Sequence, residues 1–94
     1  MTITFNSRVR PASSVLVREL EGEAVLLNLD TESYYGLDEI GARMWSAVNA
    51  SDSVEAACQM LVAEYQVDAE RLREDLQALI EEWIEHGLAR IDEG

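Results

Sequence analysis

Side chains able to do chemistry are few in this 94-residue chain: one cysteine, Cys58, one histidine, His86, five glycines and nineteen carboxylates. Catalysis needs a nucleophile beside a base, a metal-ligating cluster or a phosphate cradle, and these residues assemble none of them. No Cys/His spacing suits zinc, and the glycines are scattered. Glu81, Glu82 and Glu85 fall on helical faces, where carboxylates serve solvation rather than paired acid and base work. Cys58 lies on an apolar stripe with nothing nearby in sequence to lower its pKa, which predicts a buried, inert thiol. No enzyme activity, cofactor or metal is expected.

Two short segments imitate functional sites. Asp52-Ser53-Val54 resembles the Asp-Ser-Leu prosthetic-group site of acyl carrier proteins, which would put phosphopantetheine on Ser53. Carrier proteins are all-helical, however, and residues 15–29 look like strands, so a helix-capping role suits Ser53 better. The pair Tyr34-Tyr35 could pass for a base-stacking platform. On a pleated strand the two rings point to opposite faces. By parity Tyr35 shares a side with Leu37 and faces the core while Tyr34 points outward, unless a bulge at Gly36 reverses them.

The elements that position these residues follow from periodicity. Val15 to Leu20 and Ala24 to Leu29 are rich in branched residues and flank Glu21-Gly22, the pattern of a hairpin. Asp30-Thr31-Glu32-Ser33 makes a second turn, and Tyr34 to Leu37 returns as a third strand. Asp38 can cap a helix in which Leu37, Ile40, Gly41, Met44, Trp45 and Val48 form an inward stripe ending near Asn49 to Asp52. A second helix, capped by Asp52 or Ser53, carries Val54, Ala57, Cys58, Leu61, Val62 and Tyr65 in the same rhythm. A third opens at Asp68, places Leu72, Leu76, Leu79, Ile80, Trp83 and Ile84 on one side, and closes at His86-Gly87, where glycine suits a left-handed terminal residue. Leu88 to Ile91 is a tail able to pack back on the core.

The result is a small α+β domain, a three-stranded antiparallel sheet followed by three helices, in a winged-helix-like arrangement. Residues 1–14, with Pro11 and several Ser and Asn, are expected to be a flexible N-terminal arm, with Ile3 and Phe5 available to dock as an edge strand or a cover. Residues 15–91 form the domain.

The formal net charge is −12, with all seven basic residues arginine. Such a surface repels phosphate backbones, and neither Arg71 nor Arg73 escapes its acidic neighbours, so nucleic acid is excluded as a partner despite the winged-helix-like parts. Basic segments are the partners that this charge favours. No apolar run approaches a bilayer span, no signal peptide is visible, and the single cysteine fits a reducing compartment, so a cytoplasmic location without membrane contact is expected.

The run Val25-Leu26-Leu27-Asn28-Leu29-Asp30, then Ser33-Tyr34-Tyr35-Gly36-Leu37-Asp38, Gly41-Ala42-Arg43 and Trp45, resembles the PqqD-like family of small peptide chaperones. Glu64-Tyr65-Gln66-Val67, the Asp-started third helix and Gly87-Leu88 extend the resemblance over residues 15–91. Met44-Trp45-Ser46 stands where Ile-Trp with an acidic residue is common. The resemblance implies a recognition element for ribosomally synthesised, post-translationally modified peptides. Such an element does no chemistry and holds a precursor's leader peptide as an extra strand beside the third strand and above the third helix. It passes the precursor to a maturation enzyme, a leader peptidase of lasso-peptide pathways or a radical SAM enzyme. The Tyr-rich third strand resembles lasso-type or unassigned members.

The residues are compatible with that role. An edge strand comprising Ser33, Tyr34, Tyr35, Gly36 and Leu37 would expose unpaired amide and carbonyl groups to an extended peptide. Four net hydrogen bonds of about 0.5 to 1.5 kcal/mol each fall short of the roughly 8 kcal/mol of micromolar binding. Side-chain pockets must supply the rest. The expected source is the line Leu72, Leu76 and Ile80 on the third helix, with Arg73 and Gln77 beside it for polar or acidic leader groups, while Leu79 and Trp83 are taken as core. The same edge could instead pair two copies as a homodimer, making the chain a structural dimerisation module.

Overall fold

The computed structural model describes residues 4–92. Its elements run β1 (Arg8–Pro11), β2 (Val15–Leu20), β3 (Glu23–Asn28), β4 (Ser33–Leu37), α1 (Glu39–Ala50), α2 (Val54–Tyr65), α3 (Ala69–Glu85) and β5 (Ala89–Asp92). The expected α+β order of three strands and three helices is present, with sheet order β2-β3-β4, and a second, two-stranded sheet joins β1 to β5.

Local chemistry explains the junctions. Leu20 pairs with Glu23, so Glu21-Gly22 is a two-residue hairpin loop, and both residues take positive φ (51° and 88°), as the twist-matched turn requires. Asp38, Ser53 and Asp68 each accept a hydrogen bond from the backbone N–H three residues on, at 2.8, 3.1 and 3.0 Å, capping the three helices. At the far end of α3, Gly87 N–H donates to the Ile84 carbonyl and Leu88 N–H to the Trp83 carbonyl, closing the helix through a left-handed Gly87 (φ 73°). Ser53 is thus occupied as a cap, and the sheet leaves no all-helical bundle for a carrier protein.

The N-terminal segment departs from its expected looseness. Arg8–Pro11 pairs antiparallel with Ala89–Asp92, and Val9 is buried in the core. The carbonyls of Phe5 and Ser7 accept from Glu55 and Val54 N–H at 2.8 Å each, satisfying free amides at the start of α2. Phe5 packs on the core beneath the Arg73 guanidinium, 4.9 Å from its ring centre. Ile3 lies outside the described residues.

The core sits between the inner face of the β2-β3-β4 sheet and the helices. Trp45 of α1 meets Trp83 of α3 edge to face, with ring centres 5.0 Å apart, around Leu26, Leu61, Leu76 and Ile80. Cys58 is buried there, and burial raises its thiol pKa. Ile40, placed on the inward stripe by spacing, is instead 54% exposed, because the buried arc of α1 runs through Ala42, Trp45 and Val48. Arg43 of α1 grips the Glu64 carboxylate of α2 with two nitrogens, holding Glu64 below the usual carboxylate range. No helix among the described residues is long and apolar enough to cross a membrane.

Candidate functional site

Strand β4 is an edge. It pairs on one side with β3, and no strand among the described residues lies along its other side. The register sets its faces. Tyr35 is opposite Leu26 and Leu37 opposite Ala24, both buried partners, while Tyr34 is opposite Leu27 on the outer face and is 77% exposed. Parity therefore holds without a bulge at Gly36. β2 is the other edge of the sheet, but five of its six residues are exposed and it offers no comparable inner surface.

Across from the inner face of β4 lie α1, toward Leu37, and α3, and two cavities that meet at Tyr35 open between the strand and these helices. The one toward Leu37, about 450 Å³, is lined by Tyr35, Gly36, Leu37, Asp38, Ile40, Gly41, Met44 and Leu79. The one toward Ser33, about 480 Å³, is lined by Asn28, Thr31, Ser33, Tyr34, Tyr35, Glu85, His86 and Leu88. The Tyr35 hydroxyl donates to Glu82 Oε1 at 2.6 Å, and its ring packs against His86 with centres 5.6 Å apart. That bond to a carboxylate, followed by burial, pushes the Tyr35 pKa up to about 12.

Asn28 fixes one end of this groove. Its Oδ1 accepts from Asp30 and Thr31 N–H at 2.9 and 3.3 Å, which shapes the turn into β4. Its Nδ2 donates to the His86 and Gly87 carbonyls at 3.3 and 3.4 Å, which ties that turn to the end of α3. A single buried amide thus sets the spacing of strand and helix where the cavity opens.

Of the residues expected to form a site, the structure brings only the strand portion to the groove. Ser33, Tyr34 and Gly36 are exposed along β4, and Tyr35 is half-buried. Leu72, Leu76 and Ile80 are core, at 5%, 0% and 0% exposure, and present no surface to a guest. Arg73 pairs with Glu55 of α2 and covers Phe5, and Gln77 reaches toward Glu81, so both lie on the flank of α3 away from β4. The groove flank is instead Leu79, Glu82 and His86. Leu79, expected in the core, is half-buried and lines the cavity. Spacing of three and four marks these residues as one helical line, but nothing in that spacing says which flank meets the sheet. Among the described residues no group of three or more His, Cys, Asp and Glu is placed to hold a metal ion.

The model of the family described as coenzyme PQQ synthesis protein D (PqqD) matches residues 23–89. Two solved structures share the fold. TbiB1 in complex with the TbiA(beta) leader peptide is 28% identical with a TM-score of 0.80, covering 90% of this chain and 96% of that one. A lasso peptide synthetase B1 complexed with the leader peptide is 24% identical with a TM-score of 0.80, covering 88% and 98%. No curated protein matches the chain.

Proposed function

This chain belongs to the PqqD family, and from that premise we propose that it is a non-catalytic peptide-recognition element. It captures the leader of a precursor peptide as an added strand on β4 and presents the precursor to a separate maturation enzyme, a leader peptidase or a radical SAM enzyme. The observation that carries the reading is the unpaired edge of β4 facing α3 across a groove with an apolar wall. An extended peptide satisfies the free amide and carbonyl groups of that edge, and alternate side chains drop toward α3. TbiB1, of similar fold, is in complex with a leader peptide, which supports the same class of guest.

The guest-facing residues in this reading are Ser33 to Leu37, Ile40, Met44, Leu79, Glu82 and His86. Leu72, Leu76 and Ile80 act from beneath, as the packing that holds α3 in place. Titration of the cognate leader, followed by amide NMR, tests it. Saturation is expected to shift Ser33 to Leu37 together with Leu79 and Glu82; a saturated complex in which those amides stay put sinks the proposal.

A further inference from the structure

The groove is divided, and the division carries information about the guest. Tyr35 stands between the two cavities, and it is held there from α3 by the Glu82 carboxylate and the His86 ring. Residues directly opposite one another in paired strands face the same side, so a guest strand in register would point three alternate residues inward, opposite Ser33, Tyr35 and Leu37. The outer two meet cavities. The middle one meets the Tyr35 ring.

The two cavities differ in chemistry. At the Leu37 end the walls are mostly apolar, Leu37, Ile40, Met44 and Leu79, and the one carboxylate there, Asp38, is engaged as the cap of α1. At the Ser33 end no arginine is among the lining residues, Glu85 is present, and Glu82 lies just across Tyr35. That cavity also opens at the C-terminus of the 17-residue α3, where the helix dipole adds to the negative potential of Glu85, and the one basic group in the wall is the His86 imidazole, packed against the Tyr35 ring. The Tyr35 ring in the wall offers a face to a cation.

Resting on the strand-addition reading, we propose that this groove selects a guest with an apolar side chain and a cationic one four residues apart, and a small residue midway. The apolar group fills the Leu79 cavity, the ammonium or guanidinium group fills the cavity beside Glu85, and the small residue clears Tyr35. The net charge of −12 acts in the same direction, drawing basic segments toward the chain.

The test is selection of a phage-displayed library of random twelve-residue peptides on the intact chain, with the enriched sequences resynthesised and measured by fluorescence anisotropy. Enrichment of Arg or Lys four positions from Leu, Ile, Met or Phe, with Gly, Ala or Ser between, is the expected result. Neutralising the cavity by Glu85→Gln, which leaves the Tyr35–Glu82 bond in place, should weaken an Arg-bearing peptide by about tenfold more than its Gln analogue, as loss of one charge-assisted contact predicts. Enriched peptides without a cation, or equal losses for both analogues, overturn the cationic subsite. A bulky residue recurring at the middle position overturns the role of Tyr35. Selected peptides that shift no amide of Ser33 to Leu37 overturn strand addition itself, a separate failure read from the same complexes.

Discussion

The Tyr35 hydroxyl donates to Glu82 Oε1 at 2.6 Å, so one hydrogen bond ties the edge strand β4 to helix α3 across the groove between them. The bond favours the neutral phenol, and the Tyr35 pKa rises from 10.0 to about 12. The unfolded chain therefore releases this proton first. The stability from the bond is fully present below pH 10 and is lost as pH rises through about 12. Absorbance titration is expected to show Tyr35 ionising near pH 12, and Glu82→Gln is expected to move its midpoint back toward 10.0. A Tyr35 midpoint that Glu82→Gln leaves in place would contradict the bond.

Leu79 and Leu76 sit one turn apart with different jobs, and their substitutions should separate. Leu76 is fully buried, so Leu76→Ala leaves a cavity and costs about 3 kcal/mol in urea unfolding. Leu79 lines the groove, so Leu79→Glu should reduce leader affinity by about tenfold or more while shifting stability by less than about 1 kcal/mol. Isothermal titration and chemical denaturation on the same two variants check the pair, and the reverse pattern would return Leu79 to the core.

Asn28 joins the turn before β4 to the end of α3 through four hydrogen bonds and is 5% exposed. Asn28→Ala removes all four of these part-buried hydrogen bonds and is expected to cost about 1 to 3 kcal/mol. Gly87→Ala should also destabilise, because Gly87 has φ 73° and an added Cβ would stand 3.0 Å from Asn28 Nδ2. Thermal unfolding of both variants measures this, and Asn28→Asp is expected to fall near Asn28→Ala because a carboxylate cannot donate to the two carbonyls.

The free edge of β4 that suits a leader would also suit a second copy. Pairing two chains that each carry a net charge of −12 is opposed by their own repulsion at moderate salt. Sedimentation equilibrium without peptide is expected to return the 10.5 kDa monomer. A stable dimer whose interface protects the amides of Tyr34 to Leu37 from exchange would replace the chaperone reading with a dimerisation module.

Much of this molecule is written locally. The three caps at Asp38, Ser53 and Asp68, the Glu21-Gly22 hairpin, the left-handed Gly87 and the opposite facing of Tyr34 and Tyr35 each depend on a few neighbouring residues, and each is readable from the chain. β1 is different. Val9 between Arg8 and Arg10 gives no strand pattern, and its partner Ile91 is at the other end of the chain. Such pairing leaves no local trace, so the segment reads as a loose arm until the two ends are seen together.

The candidate site divides along the same line. Sequence by itself determined the order of the three-stranded sheet and the three helices, the opposite facing of Tyr34 and Tyr35, and one apolar side of α3 through Leu72, Leu76, Leu79, Ile80 and Trp83, because periods of 2 and 3.6 are properties of the backbone; it did not show that Leu72, Leu76 and Ile80 are the buried ones. Only the tertiary structure decided that Leu79, Glu82 and His86 face β4 while Arg73 and Gln77 turn toward α2 or solvent. A hydrophobic stripe locates the centre of a buried arc but is symmetric about it. Which flank becomes the groove depends on where the sheet docks, and Asn28 and Tyr35 hold that position from another part of the chain.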